Sequence, residues 1–376
     1  MAETLREAGY RTMMIGKWHI GPEDRDARKS GTEQPAMHDE IHMPWRRGFD
    51  EVVMHEGGGS HFFPYSPGGQ AYNRQRGRDH RLIEVSGRDQ PRQFIDDLPP
   101  ETYLTDYFSE RAVAFIEDGD NQDKPWFIYL AYNAPHTPIM APEADIEANS
   151  HIADRNRRVY AAMLTAVDRG VSGIYSALER TGALENTLVF FLSDNGAPPE
   201  NSGSNAPWRG LKGDMFEGGI RVPFLLSWPA VLPRGKVYNP QVSSLDIFPT
   251  AAAAAGVPPH EKLDGVNLVP FLTGEKEGSP HPLHLVIWRR AYIGIADGRY
   301  KMIRNNQQPK AQRYAEINRY PQDGNFDLRE NPAEDFARQL DAADLPEGME
   351  ARIEAWRERV ARESKNRQAG ANQPIP

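Results

Sequence analysis

The chain has 376 residues, no cysteine and a net charge of −9, from 44 Lys and Arg against 53 Asp and Glu. That length suits two or three domains, or one large α/β domain with an appendage, around a sizeable core. There is no apolar run of about 18 residues to span a membrane as a helix. The acidic balance argues against nucleic-acid binding by phosphate neutralisation, and the lack of cysteine excludes disulfides, thiolate zinc and a cysteine nucleophile within this sequence.

The first residues, MAETLREAGY, read as the last turns of an amphipathic helix ended by Gly9, with no apolar signal region. A fold opening so late in a helix is expected to lack its front. Tyr10 to Ile15 is a short strand, followed by GKWHIG at 16–21. Residues 22–50 read as a long surface loop. Residues 51–100 look equally irregular, punctuated by glycines and made basic by Arg74, Arg76, Arg78, Arg81, Arg88 and Arg92. With Tyr65, Tyr72 and His61 that stretch fits either a carbohydrate pocket or a solvated loop.

Thr102 to Glu117 has helical apolar spacing, and Trp126 to Tyr132 reads as a buried parallel strand. Arg155 to Arg180 is the clearest helix, with Val159, Met163, Val167, Ile174 and Leu178 as its stripe. Thr187 to Leu192 and Phe224 to Trp228 are further buried strands, and Ser244 to Ala255 a helix. Alternating strands and helices imply a large mixed, mostly parallel sheet with helices on both faces. Near residue 275 the texture turns to hairpins, with strands at 283–287, 292–296 and 299–303 and a closing helix from Asp341 to Glu363. The expected organisation is a domain over 1–274, an α+β subdomain over 275–366 and a disordered tail over 367–376.

Four segments place polar groups at strand ends or tight turns. Lys17 and His19 are two apart after the first strand, so they project to one side. His136 sits between Pro135 and Pro138 directly after the strand at 126–132. Asp194 and Asn195 end another strand and offer oxygens to a hard divalent cation, Ca²⁺ or Mg²⁺, although calcium needs about 6–8 oxygens. Lys212 lies in the glycine-rich run 210–219, where glycines allow close backbone approach. Glu217 and Arg221, four apart, read as a structural pair. Each segment also has an ordinary reading, as rim, packed turn or Asx-turn. Together they suit a sulfate or phosphate group: lysines for the charge, a histidine for the leaving oxygen, a cation for polarisation.

As a set, GYRTMMIGKWHIG (9–21), RRGFD (46–50), YNAPHTP (132–138), LENTLVFFLSDNGAP (184–198), LKGDMFEGGIRVP (211–223) and LDIFPTAAAAAG (245–256) resemble the type I, formylglycine-dependent sulfatases of the alkaline phosphatase superfamily. The resemblance implies a large α/β domain and a smaller C-terminal domain with a four-stranded antiparallel sheet and a helix. It implies that Lys17 contacts nucleophile and sulfate, that His19 hydrogen-bonds the formylglycine diol, and that His136 serves the leaving-group oxygen. It further implies that Lys212 binds sulfate, and that Asp194 and Asn195 ligate a metal, usually calcium. A sulfated glycan or aryl sulfate would be the substrate, and periplasm or export the location.

The sequence departs from that pattern at its front. The family's strand with two consecutive aspartates and its C/S-x-P-x-R signature, source of the formylglycine, do not stand ahead of GKWHIG; no Ser here is followed by x-Pro-x-Arg. The expectation is a sulfuric ester hydrolase whose nucleophile segment lies outside this sequence. A sulfatase-like anion-binding protein without turnover, and a phosphodiester or phosphonate hydrolase of the same superfamily, are the alternatives. Loss of a central first strand would leave apolar sheet edges open.

Overall fold

The structure is a computed structural model. It describes residues 1–19, 40–56, 61–75, 79–88, 90–121, 124–258, 263–281, 285–289, 292–305 and 323–370. Its first half contains α1 (Ala2–Glu7), β1 (Arg11–Trp18), β2 (Glu51–Glu56), α2 (Pro67–Gln75), β3 (Leu82–Ser86), β4 (Gln93–Ile95), α3 (Leu104–Glu117), β5 (Trp126–Ala131), α4 (Glu143–Ala148) and α5 (Arg155–Arg180). The second half contains β6 (Val189–Leu192), α6 (Glu217–Ile220), β7 (Phe224–Ser227), α7 (Ile247–Ala254), α8 (Val269–Thr273), β8 (Leu285–Arg289), β9 (Tyr292–Ala296), β10 (Tyr300–Asn305), β11 (Gly324–Asp327) and α9 (Met349–Gly370).

The main sheet runs β4-β3-β2-β1-β5. β1 is parallel to both β2 and β5, whereas β3 and β4 extend the sheet antiparallel. The two-residue period of β1 sends Met13 and Ile15 to one face and Met14 and Trp18 to the other, all of them buried. Both faces therefore need cover. Leu104, Phe108, Ala112 and Phe115 of α3 close over Met13, Ile15 and Val53, with α5 packed behind α3. On the opposite face Ala2 of α1, Met43 and Phe49 cover Met14, Trp18 and Val52. This is the expected mixed sheet with helices on both faces.

The C-terminal sheet is antiparallel in the order β11-β10-β9-β8, and Met349 and Ile353 of α9 pack against Ile293, Ile295 and Met302. That matches the four-stranded sheet and helix implied by the resemblance; β11 has no counterpart among the three hairpin strands read from texture. No helix among the described residues is long and apolar enough to cross a membrane.

Several local expectations change. Residues 51–100 supply β2, β3, β4 and α2 instead of a long loop. The runs VVM and LIEV are short, and their stability comes from pairing with a distant part of the chain, as Val52 opposite Val85 does, 33 residues apart. Two arginines of the basic stretch are committed to structural pairs, Arg81 with Asp79 and Asp96 and Arg88 with Asp50. Tyr65 is buried and donates to the Ile95 carbonyl, so it is a packed structural residue, neither lining a pocket nor part of a solvated loop. Of the loop 22–50, residues 22–39 lie outside the described residues, as do Arg76 and Arg78. The last helix continues to Gly370, into the segment expected to be disordered; 371–376 lie outside the described residues.

The strands at 126–131 and 189–192 are less buried than their apolar runs predict. β6 pairs antiparallel with β7 in a separate two-stranded sheet, and among the described residues β5 pairs only with β1. Tyr129 is 39% exposed, Phe191 43% and Leu225 56%. The physical reason is an open edge: among the described residues each of these strands has a neighbour on one side only.

Candidate active site

The site lies at the C-terminal ends of β1, β5 and β6, where loops leave the sheets. β1 delivers Lys17 immediately after Gly16, whose φ is +103°. A Cβ there would stand 2.1 Å from the Ala131 carbonyl oxygen of β5. Glycine is thus required where the two strands close together, just before they diverge to present Lys17 and the 132–138 turn. His19 follows β1 and is exposed at the rim.

The 132–138 turn carries His136, half-buried, between cis Ala134–Pro135 and Thr137–Pro138 peptide bonds. The His136 amide donates to the Asn133 carbonyl at 2.9 Å, and Nδ1 donates to the Thr137 carbonyl at 2.7 Å. A carbonyl can only accept, so Nδ1 holds a proton and Nε2 is left for other partners. Asn201 reaches across and donates to the Pro135 carbonyl at 3.2 Å.

Asp194 and Asn195 leave β6 in a turn fixed by Ser193, whose hydroxyl donates to the Asn195 carbonyl at 2.9 Å. The chain then runs against the glycine loop. The Gly196 amide donates to Gly219 at 3.1 Å, and the Lys212 amide donates to Ala197 at 3.1 Å. Asn205 joins the two, accepting from the Ala197 amide at 2.8 Å and donating to the carbonyls of Ala197 and Gly210 at 2.9 and 3.1 Å. A Cβ on Gly196 would lie 1.8 Å from the Gly218 carbonyl oxygen, so this contact too admits only glycine.

Four sequence-distant groups share one electrostatic neighbourhood. Burial holds the Lys17 ammonium below the ordinary lysine range; Asp194 opposes the shift and Lys212 adds to it. Burial also holds His136 below its usual value, against the Thr137 carbonyl and Asp194, with Lys17 and Lys212 pushing the same way as burial. Burial raises the Tyr129 phenol, and the nearby Asp194 charge adds to that. Lys17, His136, Lys212 and Asp194 are therefore brought together, and Asn195 adjoins Asp194. Two cations beside a neutral histidine form a ready receptor for an anion with hard oxygens.

A metal fits these residues only in part. Asp194 and Asn195 offer two side-chain oxygens where calcium takes about 6–8. Among the described residues no group of three or more His, Asp or Glu side chains could hold a metal ion.

Sequence reasoning missed Asn201 and Asn205, which look like ordinary loop amides, and the partner of Glu217. Arg221 does lie 3.5 Å from Glu217, but Lys301 on β10 is closer, at 2.9 Å. Nothing in local spacing could pair residues 84 positions apart.

A family model for sulfatases matches residues 1–257, and one for the C-terminal region of N-sulphoglucosamine sulphohydrolase matches 211–346. The uncharacterized sulfatase YdeN of Escherichia coli is 30% identical over 296 residues, covering 75% of this chain and 48% of that protein. N-acetylgalactosamine-6-sulfatase of Canis lupus familiaris is 33% identical over 282 residues, covering 73% and 48%. The chain thus spans about half the length of these curated relatives. The crystal structure of Ps i-CgsB in complex with k-i-k-neocarrahexaose superposes with a TM-score of 0.73 at 32% identity, covering 94% of this chain and 73% of that one. With the family model spanning more than half of the sequence and its strand-end residues converging on one site, the chain belongs to the sulfatase family.

Proposed function

We propose that this chain carries the sulfate-binding part of a sulfuric ester hydrolase acting on a sulfated carbohydrate or an aryl sulfate. The observation that carries the reading is the convergence of Lys17, His136, Lys212 and Asp194 from four separate segments. Lys17 and Lys212 neutralise the sulfate oxygens, most strongly as charge builds in the transition state. His136 presents Nε2 toward the ester oxygen and supplies the proton to the departing alcohol. Free of anion, burial and then the two lysines favour its deprotonated form. A bound sulfate group cancels their charge and raises the histidine toward the protonated form that an acid requires. His19 at the rim assists release of sulfate. Asp194 and Asn195 are two of the oxygen ligands of a Ca²⁺ or Mg²⁺ ion, the remainder coming from outside this sequence.

The nucleophile is a formylglycine on a segment outside this sequence. Two features support this: no Cys and no Ser-x-Pro-x-Arg occurs here, and among the described residues β5 and β6 each pair with a strand on one side only. The relatives act on different sulfated compounds by name, so a sulfated glycan is the substrate class favoured. The 376-residue chain alone is read as binding sulfate without turnover. The test compares hydrolysis of an aryl sulfate and an aryl phosphate by this chain and by the product of the whole reading frame. Sulfate-ester turnover by the longer product only is expected. Absence of both upstream motifs, or preference for the phosphate ester, would overturn the proposal.

A further inference from the structure

We infer that Lys301 and Glu334, in the C-terminal subdomain, are positioning residues that set the place of Lys212 through a buried ion triad with Glu217. The inference rests on the proposed role of Lys212 in anion binding. Lys301 lies on β10 and is 1% exposed; its Nζ stands 2.9 Å from Glu217 Oε1 and 2.8 Å from Glu334 Oε1. The first contact is a directed hydrogen bond, whereas the second is an ion contact at poorer angle. Glu334 is fully buried and held at φ +49°, an unusual conformation for a side-chain-bearing residue. Its Oε2 accepts the Glu217 backbone amide at 2.5 Å, and its carbonyl accepts Arg209 at 2.8 Å. Glu334 thereby grips the lysine loop at both ends, residues 209 and 217, with Lys212 between them.

The loop transmits that grip because it is folded tightly on itself. The Gly218 amide donates to Arg209 at 2.6 Å, and the Asp214 carboxylate accepts the Leu211 amide at 2.8 Å. A Cβ at Gly218 or Gly219 would stand 2.5 or 2.4 Å from the carbonyls of Gly210 and Asp214. Displacing Glu217 therefore displaces the backbone of Lys212, whose own amide is bonded to Ala197 beside Asp194.

Simple adhesion between the two parts does not require ions. Phe216 and Met215 already pack with Ile303 and Phe326 in an apolar cluster. Buried charges are a costly way to add adhesion, and their best-attested use is fixing one arrangement over others. Two carboxylates meeting one ammonium, with burial raising Glu334, leave that arrangement dependent on Lys301.

Hydrogen exchange on the whole chain reads the anchor in Lys301→Met and Glu334→Gln. Competitive acetylation of Lys212, with and without inorganic sulfate, reads the site. The expected result is exchange about tenfold faster across 209–219, with β1 and α5 unchanged. The Lys212 acetylation rate should change by about threefold. Lys301→Arg, which keeps a cation in the triad, should return both readouts toward the wild type. If Lys301→Met does not fold, Glu334→Gln, which preserves shape, decides. Unchanged exchange across 209–219, or a rise spread evenly over the molecule, overturns the proposal. Sulfate failing to protect Lys212 in the wild type would instead refute the anion-binding reading, which the exchange readout does not touch.

Discussion

Gly16→Ala separates two costs that the structure places at one residue. The backbone at +103° lies in the left-handed region, which costs an L-residue about 1–2 kcal/mol. The new methyl would also stand 2.1 Å from the Ala131 carbonyl oxygen, so β1 and β5 must part by about 1 Å at the site end. Overpacking of that kind costs about 1–3 kcal/mol, giving a total of about 2–5 kcal/mol. Gly9→Ala is the control: its φ is +92°, but nothing lies within 4 Å of the added carbon. It should lose only the conformational part, about 1–2 kcal/mol. Urea unfolding followed by tryptophan fluorescence measures both, since Trp18 and Trp126 sit on the two strands concerned. With a slope of about 3 kcal/mol per molar, the midpoint should fall by up to about 1.7 M for Gly16→Ala and about half a molar for Gly9→Ala. Equal shifts would show that the β1–β5 approach carries no extra cost, and the account of GKWHIG as a close-packing motif would fail.

Other expectations can be checked alongside it. His136 is held below its ordinary value of about 6.5, so its contribution to stability is complete above that pH and is lost as pH falls through the lowered value. His136→Gln should flatten part of that acid limb in a series of melts; His61, lowered chiefly by burial, supplies a share of the same sign. Saturating sulfate should raise the NMR titration midpoint of His136, and an unmoved midpoint would contradict the proposed charge cancellation. Asn205→Ala removes three hydrogen bonds between Ala197 and Gly210 and should cost about 1–3 kcal/mol with faster acetylation of Lys212. Phe191→Lys places a charge on the exposed β6 edge and should reduce self-association in light scattering, leaving the melting temperature nearly unchanged.

The site was readable wherever chemistry and local geometry coincide on a few consecutive residues. GKWHIG, APHTP and SDNG each join a strand end to a turn, so the polar groups fall where loops leave a sheet. The faces of β1 and the stripe of α5 were readable for a similar reason, since period 2 and period 3.6 are properties of the local chain. The strands at 51–56 and 82–86 were hidden because VVM and LIEV are too short to announce themselves among glycines and arginines.

Residue order alone was enough to point to the family and to the alternation of strands and helices, and it nominated Lys17, His19, His136 and Lys212 as candidates for anion binding. Burial and ion pairing were settled only by the folded chain. Trp126 to Tyr132 reads as a buried run, yet Tyr129 is exposed because a strand's burial depends on what lies beside it. Glu217 reads as the partner of Arg221 and does pair with it, yet it also meets Lys301 at closer range, because a charge in the interior takes whichever opposite charge the packing brings within reach. A contact across 84 residues has no local signature, and it joins the apolar cluster of Met215, Phe216, Ile303 and Phe326 in linking the C-terminal sheet to the lysine loop.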